Sequence, residues 1–283
     1  MMTREEVRAL RVELAALRRE IGELRMALRG DHATPEEVLR RRGISPAKSN
    51  PTNGLLFPPR LSSPIRTRLY TLLKKYSFRL FLRDVIAHRD HLTAEALTRF
   101  CARETVGEYL TFLCAARIVA PAARGRYRLM KKLQSFGPTL EWFVAEVFQR
   151  EFSSPALWGV RLLDMASGGD YDVLTLVEGD LLYVEVKSSP PKHIDAPEIA
   201  TFLNRVEELV PNAALFFVDT ELRMKDKIVP LFEVELGRRR KSPCITHLVD
   251  ELFVCDERIF LVNSRPGLVS SLGRCLRYWL GQR

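Results

Sequence analysis

The sequence predicts a multidomain α and α/β protein whose α/β part is built around a central mixed sheet. Three observations support this class. A heptad pattern covers the first residues, a basic and helix-rich stretch follows a run of prolines, and helix and strand patterns then alternate. Such alternation is typical of α/β folds. We expect a coiled-coil helix at 1–30, a linker at 31–64, a mainly helical domain at 65–133 and an α/β domain at 134–283.

Composition narrows the class of protein further. Of the 283 residues, 46% are hydrophobic and 28% are charged, which is typical of a globular protein. No apolar run approaches the roughly 20 residues of a membrane span, and the charged amino terminus does not resemble a secretory signal. The five cysteines are scattered without a CxxC pair, which argues against a disulfide framework or a cysteine-rich zinc site. We therefore expect a reduced, cytoplasmic protein without a membrane partner.

The net charge of +9 is distributed unevenly along the chain. The balance is +3 over residues 1–50, +11 over 51–133, −10 over 134–236 and +5 over 237–283. A strongly basic stretch is typical of a surface that binds a polyanion. The acidic stretch either faces solvent or gathers carboxylates around a cation.

The heptad pattern predicts a parallel homodimer. Apolar residues recur at alternating spacings of three and four, at Val7, Leu10, Leu14, Leu17, Ile21, Leu24 and Leu28. With Val7 at position a, the g positions are Glu and the e positions are Arg. A parallel pair then gains Glu–Arg contacts, whereas an antiparallel pair brings like charges together. The alternative is a helix that packs its apolar stripe on its own protein.

Residues 31–64 contain six prolines and follow Gly30 at the predicted end of the coiled-coil helix. A segment of this composition is typical of a linker, and we expect one short helix in it, near residues 35–42.

The order of elements in the basic stretch resembles a winged helix-turn-helix domain. Helical patterns are predicted at 65–76, 78–88, 93–100 and 103–116, and two short strands around 118–120 and 127–129 form a hairpin. The resemblance implies nucleic-acid binding through the helix that begins at Arg103. The alternative is a module of the same fold that binds protein.

The resemblance also implies which side chains contact nucleic acid. Arg103, Thr105 and Glu108 would lie on the outer face of the recognition helix. The arginines of the wing would contact phosphates, at Arg124, Arg126 and Arg128.

Four residues of the acidic stretch are candidates for one site. Asp172 is predicted to open a strand, and Glu185 and Lys187 lie on the next strand of a hairpin. Because side chains alternate along a strand, Glu185 and Lys187 share one face, and Asp172 can lie beside Glu185. Glu141 lies at the border of the apolar side of a preceding helix, whereas Glu146 is expected to point away from the core.

These residues lie in three motifs, which are Gly137-Pro-Thr-Leu-Glu141, Gly169-Asp-Tyr-Asp172-Val-Leu and Tyr183-Val-Glu185-Val-Lys187-Ser188. Together they resemble the helix glutamate, strand aspartate and ExK motifs of the PD-(D/E)xK nuclease superfamily. That superfamily includes restriction-endonuclease-like and Holliday-junction-resolvase-like proteins. The resemblance covers roughly residues 135–235 and implies a restriction-endonuclease-like α/β domain.

The resemblance implies a metal site and a role for each residue. Asp172, Glu185 and the carbonyl of Val186 would hold Mg²⁺ or Mn²⁺, and Glu141 would hold a metal-bound water or a second ion. Lys187 would orient or deprotonate the attacking water, or stabilise charge at phosphorus.

Two alternatives concern the site itself. Asp170 rivals Asp172 as the metal ligand because it lies two residues away on the same strand. Glu185 and Lys187 are otherwise an ion pair on the surface of a half-buried sheet.

The sequence thus predicts a metal-dependent endonuclease that cleaves DNA, binds it through the winged-helix-like domain and dimerises through the coiled coil. The alternative is a non-catalytic, dimeric DNA-binding regulator or scaffold with a vestigial nuclease fold. RNA cleavage by the same site, the target, the biological pathway and the number of metal ions all stay open.

Overall fold

The computed structural model describes residues 33–239 and 244–282. Within these ranges, eight helices and a large mixed sheet form an α/β fold, which confirms the predicted α/β class. The coiled coil predicted for residues 1–30 lies outside the described residues. No helix in the described part of the chain is both long and apolar enough to span a bilayer.

The helices are α1 (Pro35–Arg41), α2 (Ser63–Leu73), α3 (Tyr76–Ala87), α4 (Arg103–Ala115), α5 (Gly137–Glu151), α6 (Ala196–Leu209), α7 (Ile228–Arg239) and α8 (Leu268–Gly281). The strands are β1 (Pro46–Lys48), β2 (Leu92–Thr93), β3 (Val119–Pro121), β4 (Arg126–Leu129), β5 (Ala156–Leu162), β6 (Asp170–Val177), β7 (Asp180–Lys187), β8 (Ala213–Val218), β9 (Ile245–Val249), β10 (Leu252–Cys255) and β11 (Ile259–Asn263).

The large sheet has the strand order β1-β5-β6-β7-β8-β11-β10-β9. Strands β7, β8 and β11 run parallel, and the remaining neighbours are antiparallel. All six residues of β8 are buried, as expected for a central parallel strand that is covered on both faces. Because parallel strands end at the same edge, the loops after β7, β8 and β11 lie side by side.

Each face of the large sheet has its own apolar core. Residues of α5 and α8 pack on one face with the helices of the basic stretch, and Leu140, Val173 and Trp279 belong to this core. Helices α6 and α7 cover the other face, where the Phe202 and Phe216 rings lie 5.2 Å apart at a steep angle. The basic stretch is therefore packed against the sheet through a continuous core.

The basic stretch contains the predicted helices and hairpin, with one difference. Helices α2, α3 and α4 accompany a small sheet of order β2-β4-β3. The helix predicted at 93–100 is only a 3₁₀ turn, Glu95–Leu97. The Thr98 hydroxyl donates to the Glu95 carbonyl at 2.9 Å, a local bond that competes with continuation of a helix.

The segment predicted to be a linker, 31–64, is part of the packed fold over its described residues. The expected short helix is present as α1, and β1 pairs with β5 at the edge of the large sheet. Leu55, Leu56 and Phe57 are buried. This proline-rich segment is therefore folded against the domain and is not an extended linker.

Glu146 differs from the expectation that it points away from the core, since it is only 3% exposed. It is paired with Arg66 of α2 and with Arg150 at 2.6 Å. Two guanidinium groups thus compensate a carboxylate that would otherwise be costly to bury.

A buried ion pair joins the basic stretch to the large sheet. The Arg79 guanidinium of α3 donates to both carboxylate oxygens of Asp219 at 2.7–3.0 Å, and neither side chain is exposed. Burial alone would raise the pKa of Asp219, but Arg79 and Arg83 together hold it below its usual value. The Asp219 backbone N–H donates to the carbonyl of Lys187 at 2.8 Å, next to the end of β7. The pair therefore connects α3 to the strand that carries the candidate site.

We expect Arg79→Met to lower the free energy of unfolding by about 3 kcal/mol or more, because it leaves Asp219 buried with less compensation. Urea denaturation at neutral pH measures this. Arg103→Met is the control, because Arg103 and Glu95 form an exposed pair whose loss costs less than about 1 kcal/mol. Equal losses in the two variants would contradict a structural role for the buried pair.

Candidate functional site

The end of the β6–β7 ladder brings two predicted site residues together. The regular pairing of the two strands ends with Val173 opposite Val184, so the next pair of positions is Asp172 and Glu185. Beyond this pair, the N–H of Val186 donates to Oδ2 of the Asp172 side chain at 2.7 Å and not to a backbone carbonyl of β6. The Asp172 carboxylate thus lies at the edge of β7, beside Glu185.

Glu185 is held by cations and a hydroxyl on the face that α6 covers. Lys187 Nζ lies 3.0 Å from Glu185 Oε1, and Arg205 Nη1 of α6 lies 3.2 Å from Oε2. The Tyr183 hydroxyl donates to the same Oε2. Lys187 also pairs with Glu198 of α6 at 3.1 Å, so a line of alternating charges runs from the sheet to the helix.

Glu141 approaches the same place from α5, across a glycine of β5. Gly159 has φ +53°, and a Cβ there would lie 2.7 Å from Cγ of Pro51 and 3.7 Å from Oε2 of Glu141. Gly159 falls between residues of β5 that pair with Val173 and Tyr171, and so lies across from Asp172. The positive φ and the close approach of Pro51 both require glycine here, whereas the distance to Glu141 is an ordinary contact.

Burial and the charges of neighbouring groups shift the pKa values of Glu141, Asp172 and Lys187. Burial raises the pKa of Glu141 to about 7, with further contributions from Glu185 and Asp170. Burial also raises the pKa of Asp172 well above its usual value, together with repulsion from Glu185 and Glu141. Burial alone would lower the pKa of Lys187, but the Glu185 carboxylate outweighs this and raises it. Lys187 is therefore protonated, and the carboxylates still exceed the cations around them.

Asp172, Glu185 and Lys187 line one cleft between the end of the hairpin and α6, whereas Glu141 is not among its lining residues. The lining residues are Asp170, Asp172, Glu185, Lys187, Pro197, Glu198, Thr201 and Arg205. The two aspartates differ, because Asp170 pairs outward with Arg161 at 2.7 Å whereas Asp172 contacts β7. Asp172 is therefore the better placed of the two to act with Glu185.

Sequence reasoning missed the part of the cleft that α6 contributes. Glu198, Thr201 and Arg205 follow one another at helical spacing and face the site. Helical spacing places these polar residues beside the apolar stripe that contains Ile199 and Phe202, but it does not indicate what they contact.

The residues predicted to bind nucleic acid lie on a different part of the molecule and do not line the cleft. Arg103 is exposed at the first turn of α4, and Thr105 is half-buried. The remaining three are exposed on the turn between β3 and β4 and on β4 itself, at Arg124, Arg126 and Arg128.

The donor chemistry of the cleft fits a hard divalent cation. Among residues 33–239 and 244–282, no three His, Cys, Asp or Glu side chains form a ready-made metal cluster. Asp172 and Glu185 nevertheless offer carboxylate oxygens of the kind that Mg²⁺ binds, and a cation there would relieve the repulsion that helps to raise the pKa of Asp172. The Val186 carbonyl points to the same side as its N–H, toward Asp172.

The fold is similar to that of solved proteins at low sequence identity. No protein-family model matches the chain, and no curated protein matches it. Can2 from Sulfobacillus thermosulfidooxidans, in complex with cyclic tetra-adenylate (cA4), aligns with a TM-score of 0.50 at 13% identity over 89% of this chain and 62% of Can2. VC1899 from Vibrio cholerae aligns with a TM-score of 0.46 at 16% identity, over 74% of this chain and 61% of VC1899. The chain thus covers only about three fifths of the length of either.

We expect Asp172→Asn to stabilise the protein in EDTA by about 1 kcal/mol, because it removes a repelled carboxylate and keeps an acceptor for the Val186 N–H. Thermal or urea unfolding at neutral pH measures the change. Added Mg²⁺ should stabilise the wild type more than the variant. Glu178→Gln, in the exposed turn before β7, is the matched control and should change little. A lower free energy of unfolding for Asp172→Asn than for the wild type in EDTA would contradict the inferred repulsion at Asp172.

Proposed function

We propose that this protein is a metal-dependent endonuclease of the PD-(D/E)xK type, with a restriction-endonuclease-like α/β domain that hydrolyses phosphodiester bonds in DNA. The observation that carries the proposal is the convergence of Asp172, Glu185 and Lys187 in one cleft, where Asp172 contacts the Val186 N–H. The three side chains come from two adjacent strands, in the order that the family motifs require.

Each residue has a distinct part in the proposed reaction. Asp172, Glu185 and the carbonyl of Val186 would hold Mg²⁺ or Mn²⁺, which neutralises the scissile phosphate and activates water. Protonated Lys187 faces the same cleft and stabilises the negative charge that develops at phosphorus. Glu141, with its pKa at about 7, exchanges a proton near neutral pH and fits a role in holding or deprotonating the attacking water.

Nucleic acid is the proposed partner of the basic stretch, as in a winged helix-turn-helix domain. Arg103 and Thr105 would lie along the duplex on α4, and the arginines of the β3–β4 turn would contact phosphates. The similarity in fold to Can2, a protein solved with cyclic tetra-adenylate, is consistent with a nucleotide-based partner. A parallel coiled coil of residues 1–30 would place two copies of the cleft on one substrate.

We expect purified protein with Mg²⁺ or Mn²⁺ to cleave one or more members of a panel of linear, branched and single-stranded DNAs and RNAs. Asp172→Asn, Glu185→Gln and Lys187→Met should each lower the rate by about 10²–10⁴-fold, because each removes a group that acts on the reacting phosphate or water. Gel assays of end-labelled substrates measure the rate.

Glu178→Gln is the matched control for cleavage, because it removes a carboxylate of the same hairpin far along the strands from the cleft. Full activity of Lys187→Met would contradict the site assignment. If the wild type binds DNA but does not cleave it with either metal, the non-catalytic regulator is favoured. In that case Lys187 and Arg205 serve to neutralise Glu185 permanently.

We expect the triple variant Arg124→Ala, Arg126→Ala, Arg128→Ala to bind DNA more weakly. The slope of log K against log salt should fall by about 2–3, because each arginine that contacts a phosphate releases counterions. Fluorescence anisotropy at several salt concentrations measures the slope. The control is Arg40→Ala with Arg41→Ala, two exposed charges on α1. An unchanged slope in the triple variant would exclude the wing from the interface.

A further inference from the structure

Arg205 connects three parts of the candidate site. It is only 9% exposed, although it lies on a surface helix. One arm reaches Glu185 at 3.2 Å, and the other arm donates to the carbonyl of Gly168 at 3.2 Å. The guanidinium also lies over the Tyr171 ring, 5.4 Å from its centroid. Tyr171 is the residue between Asp170 and Asp172, so the contact reaches the strand that carries the other carboxylate.

The loop at residues 163–169, which leads into β6, is docked on α6 by the same side chain. Gly169 has φ +75°, and a Cβ on it would overlap Nη2 of Arg205. Glycine therefore meets two requirements at this position, the backbone conformation and the space for the guanidinium. One helical turn further along α6, Glu208 accepts from the backbone N–H groups of Ala166 and Ser167. The loop is thus held by two charged residues of one helix face.

We propose that Arg205 is a positioning residue, which fixes Glu185 of β7 and the loop before β6 relative to each other so that Asp172 and Glu185 keep their spacing. Its effect on catalysis rests on the proposed function, whereas its docking of the loop does not. A misplacement of about 1 Å in such a site can lower a rate by about 10²-fold.

Two different changes disrupt the same contact. Arg205→Met removes the charge and both arms but keeps a long side chain. Gly169→Ala removes no charged group but pushes the guanidinium of Arg205 away from the loop. Alanine at a positive φ is strained in itself, and Gly168→Ala controls for this because Gly168 has φ +58° and a Cβ there meets no neighbouring atom. If Arg205 only neutralised Glu185, Gly169→Ala would behave like Gly168→Ala. The pair therefore separates positioning from charge compensation.

We expect each variant to lower kcat by about 10–100-fold with little change in KM, because the basic stretch supplies most of the substrate binding. The double variant should be no slower than the slower single variant, since both changes remove one contact. In the absence of substrate, amide hydrogen exchange measured by mass spectrometry over residues 163–172 should be about tenfold faster in both variants.

Arg239→Met is the matched control. Arg239 is also largely buried, pairs with Glu235 and donates to the carbonyl of Ala200 on α6, but it does not line the cleft. It should keep wild-type kcat and wild-type exchange over residues 163–172.

Wild-type kcat in Gly169→Ala, or equal losses in Gly168→Ala or Arg239→Met, would overturn the inference. If the wild type cleaves nothing, the proposed function fails, and the exchange measurement still decides the docking. Faster exchange in both variants would then support it, and unchanged exchange would overturn it.

Discussion

The buried pair of Arg79 and Asp219 is the contact on which the arrangement of the molecule depends. It lies where α3 of the basic stretch meets the carboxyl end of β8, and Ser264 after β11 donates to Asp219 at 2.5 Å. Three segments far apart in sequence therefore share one desolvated charge. A buried ion pair adds little net stability over an apolar contact of the same size. Because neither charge can be left buried without the other, however, the pair fixes the position of α3 relative to the end of β8. Through its backbone bond to Lys187, the same residue also fixes the end of β7.

The candidate site has the opposite electrostatic character. Around Asp219 the guanidinium groups hold the pKa below its usual value, whereas at Asp172 and Glu141 burial and repulsion raise it. Repulsion of this kind is typical of sites that bind a ligand or an ion. Asp219 and the carboxylates of the cleft lie at neighbouring strand ends of one sheet, but two guanidinium groups contact the single Asp219 carboxylate, whereas Asp172 has no cation within ion-pair distance among the described residues. This difference separates a structural ion pair from a site.

The sequence predicted the local features better than the long-range ones. The hairpin of β6 and β7 and helix α5 follow from apolar periodicity and turn residues. Alternation along β7 was enough to place Glu185 and Lys187 together. Arg205 was missed because its role depends on a loop 37 positions away. Glu146 was misplaced because its partner Arg66 belongs to another helix, 80 positions earlier. Hydrophobic periodicity indicates local helices and strands, and it does not indicate which side chains pair across such long separations in sequence.

The central parallel strands have a consequence for biosynthesis. Arg79 and Asp219 are 140 positions apart, and Asn50 binds the backbone of Trp158 across 108 positions. Contacts with such long sequence separation form slowly, and domains fold as their segments emerge from the ribosome. The small three-stranded sheet is complete once residue 129 has been made, whereas the last residue that lines the cleft, Arg205, lies 76 positions later. A nascent chain therefore displays its basic surface well before the carboxylate cleft is assembled.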